Sequence, residues 1–164
     1  PLSDGASCVF LCSEEYAKAN GLKPLAYLTY SQSAAVNYID DEGLLMAPAY
    51  AVPKLLERAN LTLKDFDFYE IHEAFSAQVL CTMKAWEDEK FCKEKLGLEG
   101  ALGEIDRDKL NVRGGSVALG HPFAATGSRI ITSLAKMIDE KGSGRGLISI
   151  CTAGGMGVTA IIEK

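Results

Sequence analysis

A mixed α/β sheet with helices on both faces is the fold class this sequence predicts. Three observations carry it. Apolar, strand-like runs alternate with helix-period stripes along the chain. The last two apolar runs are separated only by a glycine-rich turn, which makes them a hairpin. Hydrophobic residues make up 48% of the 164, enough for the core of one domain over residues 1–164.

The elements follow in order. Ala6 to Cys12 is a short run containing Val9, Phe10 and Leu11, read as a first, buried strand. Ser13 caps a short helix whose first turn carries Glu14 and Glu15, where the helix dipole favours acids, and Asn20-Gly21 ends it. Leu25 to Tyr30 is the second strand, and residues 31–46 read as irregular, with an exposed turn at 40–43. Ala49 to Ala59 is a helix with Val52, Leu55, Leu56 and Ala59 on one stripe, and Pro53 is compatible only with its first turn. Leu61 to Asp65 is a connector, and Phe66 to Ile71 is the third strand. Phe75 to Lys95 reads as one long helix, with Val79, Met83 and Trp86 inside and Glu87, Asp88, Lys90, Lys93 and Glu94 outside. Gly97 to Leu110 is a polar surface insertion. A glycine-rich run to Gly127 leads into a helix reaching about Glu140, with Ile130, Ile131, Leu134, Met137 and Ile138 as its core stripe. Leu147 to Cys151 and Val158 to Ile162 are the fourth and fifth strands.

Several function classes fall away. The net charge is −5 and no basic stripe exists to neutralise phosphates, so no nucleic-acid partner is expected. No apolar run approaches the ~20 residues of a transmembrane helix, and no signal-peptide pattern opens the chain. The five cysteines include no C-x-x-C pair, so neither a metal site nor a disulfide framework is expected. They read as reduced thiols of an intracellular protein, with Cys8, Cys12, Cys81 and Cys92 as small buried hydrophobes.

Chemistry concentrates in three short motifs. The chain has two histidines, His72 in Tyr69-Glu70-Ile71-His72-Glu73-Ala74-Phe75 and His121 in Gly114-Gly115-Ser116-Val117-Ala118-Leu119-Gly120-His121-Pro122-Phe123-Ala124-Ala125-Thr126-Gly127. His72 follows a strand, where sites collect in open α/β sheets, and could donate to a developing oxyanion. Position alone favours a histidine that merely caps or packs at the helix start. His121 sits between Gly120, which permits close backbone approach, and Pro122, which stiffens the exit; this suits a base or an anion binder. A phosphate loop is the rival, but neither G-x-G-x-x-G nor a Walker lysine is present. Cys151 ends a strand and enters Thr152-Ala153-Gly154-Gly155-Met156-Gly157, whose small residues leave backbone N–H groups open as an anion nest. A core cysteine before a plain hairpin turn fits that segment equally well.

Taken together, the three motifs resemble the C-terminal half of a thiolase, in order and in approximate spacing. Ser3-Asp4-Gly5-Ala6 resembles the entry into that half. A His-Glu-Ala-Phe sequence in place of the Asn-type motif is similar to β-oxidation thiolases that pair with a hydratase–dehydrogenase subunit. The resemblance implies a thiolase-type half, a five-stranded mixed sheet layered between helices. It implies cleavage of 3-oxoacyl-CoA by CoA to acetyl-CoA and a shortened acyl-CoA, with coenzyme A as substrate and no other cofactor. By the same resemblance Cys151 is the acid–base thiol, His121 activates the nucleophile, His72 completes an oxyanion hole, and the Ala153 N–H serves a second one. The nucleophilic cysteine belongs to the family's N-terminal half, and no cysteine here occupies its motif. The chain is therefore expected to be a fragment that needs that half, in a homo-oligomer. Two alternatives stand beside this reading: a biosynthetic acetoacetyl-CoA thiolase or ketoacyl synthase relative, and a non-catalytic pairing module.

Overall fold

The computed structural model describes residues 3–40 and 42–164; Pro1, Leu2 and, in the predicted exposed turn, Asp41 lie outside the described residues. The elements run α1 (Glu14–Ala19), β1 (Tyr27–Ala35), α2 (Ala47–Ala59), β2 (Phe68–Ile71), α3 (Ser76–Glu87), α4 (Glu89–Leu96), α5 (Ser116–Leu119), α6 (Thr126–Lys141), β3 (Arg145–Thr152) and β4 (Met156–Glu163). Single 3₁₀ turns cover Leu63–Asp65 and Arg107–Lys109.

Four strands form one mixed sheet in the order β1-β4-β3-β2. The parallel pair β2/β3 sets Ile71 opposite Ser149, and β3/β4 is the expected antiparallel hairpin. Alternation of side chains sorts the sheet into two faces. Tyr69, Ile71, Leu147 and Ile161 pack with Val52, Leu55 and Leu56 of α2 and Val79, Met83 and Trp86 of α3. Ile148, Ala160 and Ile162 pack with Ile130, Leu134, Met137 and Ile138 of α6. The helices therefore cover both faces, as the sequence predicts.

The five-stranded expectation is corrected to four. Residues 6–12 form no strand and join no ladder among the described residues. Their hold is on α6 instead: Ser7 Oγ donates to Ala125 O, and Thr132 Oγ1 donates to Cys8 O at 3.3 Å. Phe10 and Leu11 consequently stand 71% and 60% exposed. The expectation of buried cysteines fails for three of the four. Cys8 and Cys12 lie on this segment and are exposed, Cys81 is exposed on the outer side of α3, and Cys92 alone of the four is buried.

Three boundaries also move. Strand β1 runs on to Ala35 through Ser31, Gln32 and Ser33, because these residues pair with Ala160, Thr159 and Val158 of β4. Their polarity reflects an edge strand, which polar side chains protect from further pairing. The long helix expected over 75–95 breaks at Asp88, whose extended backbone ends α3 and whose carboxylate caps α4 by accepting from Phe91 N–H at 2.9 Å. Helix α2 begins at Ala47, with Pro48 in its first turn, so that Pro53 falls inside it. Proline there leaves the carbonyl four residues back without its helical donor. That carbonyl belongs to Ala49, and the buried Trp86 Nε1–H donates to it at 3.3 Å.

Trp86→Phe should therefore cost about 1–3 kcal/mol, the penalty of a buried acceptor left unpaired, in urea denaturation. In a Pro53→Ala background the helix amide returns and the same substitution should cost measurably less. Equal costs in both backgrounds would show that the Trp86–Ala49 bond does not compensate for the proline.

Candidate active site

The site is built where β2 ends. His72 N–H donates to Ser149 O at 2.8 Å, one step past the last β2/β3 pair, so the chain leaves the sheet with His72 fixed against β3. His72 is only 2% exposed. Asn111 then latches the outer edge of β2: its Oδ1 accepts from Ile71 N–H and its Nδ2 donates to Ile71 O, both at 2.9 Å. The same Nδ2 donates to Glu73 Oε1 at 2.8 Å, and Glu73 Oε2 accepts from Val117 N–H at 3.0 Å. A Cβ at position 115 would overlap the Glu73 carboxylate, so only glycine lets this bridge form.

That bridge joins the two histidine motifs. The His72 and His121 rings lie 4.3 Å apart between centroids, tilted by 51°. His121 Nδ1 lies 2.7 Å from Thr126 Oγ1, and the Phe123 ring lies 4.8 Å away between centroids, tilted by 54°. Gly120 takes φ 87°, a backbone conformation suited to glycine, where a Cβ would also meet Ser3 Oγ. Gly5 in turn has no room for a Cβ beside Pro122. Ser3-Asp4-Gly5 thus buttresses the His121 loop. Ala124 holds φ 65°, a conformation that costs a residue with a Cβ about 1–2 kcal/mol.

Cys151 belongs to the same site through β3, two residues past Ser149. Its Sγ donates to Gln78 Oε1 at 3.5 Å, and Gln78 is oriented by donating its Nε2 to Thr82 at 3.0 Å. Burial pushes the Cys151 thiol up to about 11, against hydrogen bonds from its own backbone and that of Ala74. Ala74 lies two residues after His72, so the third motif meets the first. Ala153 is exposed in the hairpin turn, and no hydrogen bond of its N–H is found among the described residues. Gly155 closes that turn: its carbonyl accepts from Val36 N–H at 2.8 Å.

The charge pattern beneath the histidines is unusual. Burial pushes His72 down to about 4, helped by the neighbouring His121 and Arg129 and opposed by Glu73, so the ring is neutral at pH 7. Glu70, on the α6 side of β2, is pushed up to about 7 by burial, with Arg129 working the other way. A cavity of about 270 Å³ lies next to the site, lined by Glu73, Ser76, Val79, Met83, Leu110 and Val117 among others, but by none of His72, His121 and Cys151. Among the described residues no three His, Cys, Asp or Glu side chains are grouped as metal ligands.

The structure therefore places the sequence-predicted residues His72 and His121 in contact at the end of the sheet where β3 carries Cys151, with Ala153 in the adjoining turn. Sequence reasoning assigned no role to Asn111, Glu73, Gln78, Ser116, Thr126 or Arg129. The signal that could have found four of them was their polarity inside or beside motifs otherwise made of small and apolar residues. For Gln78 and Arg129, which lie on helices, no such signal existed.

Two imidazoles in contact past the end of β2, with a buried thiol at the end of the neighbouring strand β3, are the chemical groups this fold gathers at one end of its sheet. Residues 22–164 match the family described as "Thiolase, C-terminal domain", and the chain belongs to the thiolase family. It is 48% identical over 163 residues to the 3-ketoacyl-CoA thiolases of Alteromonas mediterranea and Shewanella putrefaciens, covering 99% of this chain and 37% of each relative. Among solved structures it resembles the Bacillus anthracis acetyl-CoA acetyltransferase, with TM-score 0.71 and 39% identity over 92% of this chain and 33% of that one. The Syntrophomonas wolfei acetyl-CoA acetyltransferase gives TM-score 0.73 and 34% identity over 92% of this chain and 35% of that one. The chain thus spans little more than a third of the curated relatives it matches.

The depressed proton affinity of His72 has a direction that can be measured. Unfolded His72 binds a proton near pH ~6.5, whereas the folded ring does so only near about 4. Its contribution to stability is therefore present at neutral pH and is lost as pH falls from ~6.5 to about 4. Glu70 works oppositely but is common to parent and variant. Between pH 7 and the acid limb, the denaturation midpoint of the native sequence should fall further than that of His72→Gln. A parallel fall in both proteins would mean that His72 is not held neutral by the fold.

Proposed function

We propose that this chain supplies the acid–base and oxyanion-binding half of a thiolase active site that cleaves 3-oxoacyl-CoA with CoA. The observation that carries this reading is the contact between the His72 and His121 rings, 4.3 Å between centroids, beside the buried Cys151 thiol. In this reading a cysteine of an N-terminal half attacks the keto carbon, and His121 takes the thiol proton. The bond between C2 and C3 breaks as the acyl-enzyme forms. The departing acetyl-CoA enolate takes the proton of Cys151, whose elevated affinity keeps it protonated until then. Cys151 thiolate next takes the proton of CoA, whose sulfur attacks the acyl-enzyme; the shortened acyl-CoA leaves, and the freed nucleophilic cysteine recovers its proton from His121. His72 donates to one oxyanion and the Ala153 N–H to the other.

Two further observations support an absent half. The chain spans 37% of the length of its 3-ketoacyl-CoA thiolase relatives. Apolar side chains inside the three motifs also stand uncovered: Phe75, Val117, Leu119, Phe123 and Met156 are all exposed. Such a rim around polar catalytic groups suits a surface that another protein layer covers. Assembly with further copies and with a hydratase–dehydrogenase subunit belongs to the same proposal and rests on the His72-Glu73-Ala74-Phe75 motif. A cytoplasmic setting fits the bacterial relatives; no helix of the described residues is long and apolar enough to cross a membrane.

The test is thiolysis of acetoacetyl-CoA, followed by loss of its enolate absorbance. The 164-residue chain alone should give no turnover. Fused behind the N-terminal part of the Alteromonas mediterranea relative, it should turn over. In that fusion Cys151→Ala should lower kcat by ~10²–10⁴-fold, the usual worth of general acid–base catalysis. His72→Ala should lower kcat by ~10²–10³-fold with little change in KM. Turnover by the isolated chain, or a Cys151→Ala fusion as active as its parent, would refute the assignment.

A further inference from the structure

Each histidine ring touches a hydroxyl through its Nδ1, and each hydroxyl has a second partner that biases the direction of its proton. His72 Nδ1 lies 3.1 Å from Ser116 Oγ, which also lies 3.3 Å from an Arg129 NH2. A guanidinium can only donate, so Ser116 Oγ accepts from Arg129. With one lone pair taken by Arg129, the Ser116 hydroxyl is polarised towards donating, and His72 Nδ1 is the acceptor at hydrogen-bond distance from it. An imidazole that accepts at Nδ1 carries its own proton on Nε2.

At His121 the chain of donors runs the other way. Thr126, in the first turn of α6, donates its Oγ1 proton to Pro122 O at 3.3 Å. Its oxygen then accepts from His121 Nδ1–H at 2.7 Å. The sequence N–H to O–H to C=O aligns three dipoles, an arrangement in which each bond strengthens the next. An imidazole that donates at Nδ1 leaves Nε2 as a lone pair.

We infer that Ser116, backed by Arg129, and Thr126 are positioning residues that hold the two rings in opposite neutral tautomers, with an Nε2–H donor on His72 and a bare Nε2 on His121. The inference deepens the roles proposed above and rests on that reading for its meaning in catalysis. His72 arrives with the proton an oxyanion needs. His121 arrives with the lone pair a thiol proton needs, and once protonated presents an Nε2–H to the same oxyanion. Two chemically identical side chains thus receive distinct tasks from two neighbouring hydroxyls.

The tautomers can be read without any turnover, so failure here is separable from failure of the thiolase reading. Long-range proton–nitrogen correlation spectra of the chain with ¹⁵N-histidine, at mildly alkaline pH, contain just two ring systems, since the sequence has two histidines. His72→Gln assigns them by deletion. His72 should show a protonated Nε2 and His121 a protonated Nδ1. Thr126→Val should convert His121 to the Nε2–H form and leave His72 unchanged, and Thr126→Ser should restore the native pattern. Ser116→Ala should give His72 a measurable share of the Nδ1–H form, with Ser116→Thr restoring the pure one. Backbone amide dispersion checks that each variant folds, and the native spectrum tests the inference even where one does not. Two rings in the same tautomer, or a His121 pattern indifferent to loss of the Thr126 hydroxyl, would overturn it.

Discussion

One carboxylate holds the site in register. Glu73 accepts from the side chain of Asn111 and from the backbone of Val117, and so ties the end of β2 to the loop that carries His121. Hydrogen bonds to a charged acceptor contribute more than neutral ones, about 1.5–3 kcal/mol each. The contact is close enough that position 115 must lack a Cβ. Asn111 is itself locked on both hydrogen-bonding groups of Ile71, completing the free edge of β2 where a further strand would otherwise pair. The histidines therefore meet because a strand edge, an amide and a carboxylate meet first.

What lies under this clamp explains the protonation states. Burial raises Glu70 to about 7 and the Cys151 thiol to about 11, and lowers His72 to about 4. All three shifts favour the neutral form, the expected outcome where desolvation outweighs pairing. Arg129 is the permanent charge among them, and its Nε is buried without a hydrogen-bond partner among the described residues. Burial thus shifts Glu70, His72 and the Cys151 thiol towards their uncharged forms beside a permanent guanidinium and the Glu73 carboxylate.

Much of this was legible in the sequence because its signals were local. The hairpin around Gly154 and Gly155, the core stripe of α6 and the Ser13 cap each follow from residues adjacent in the chain. The three motifs fell into place for the same reason, since each is a strand end or turn with its own glycine punctuation. The misreadings share the opposite cause. Residues 6–12 have strand composition, but a strand exists only where a ladder accepts it, and none of the described strands does. Pro53 is tolerated inside α2, beyond the first turn to which local pattern confines it, because the donor that replaces its amide, Trp86, lies on another helix. The break at Asp88 depended on a cap geometry that a continuous polar face conceals. The roles of Ser116, Thr126 and Asn111 were hidden because a hydroxyl or an amide acquires a task only from what it faces.

The central claim is that Glu73 brings two histidines, separated widely in sequence, into ring contact. Nuclear Overhauser effects between their ring protons report that contact directly, since no other histidine competes for assignment. The native chain should show a cross-peak between the His72 and His121 rings, as their 4.3 Å centroid separation requires. Glu73→Ala should weaken or abolish it while the contacts of β3 with β4 persist. A native chain without the cross-peak, or a folded Glu73→Ala variant that keeps it at full strength, would contradict the account.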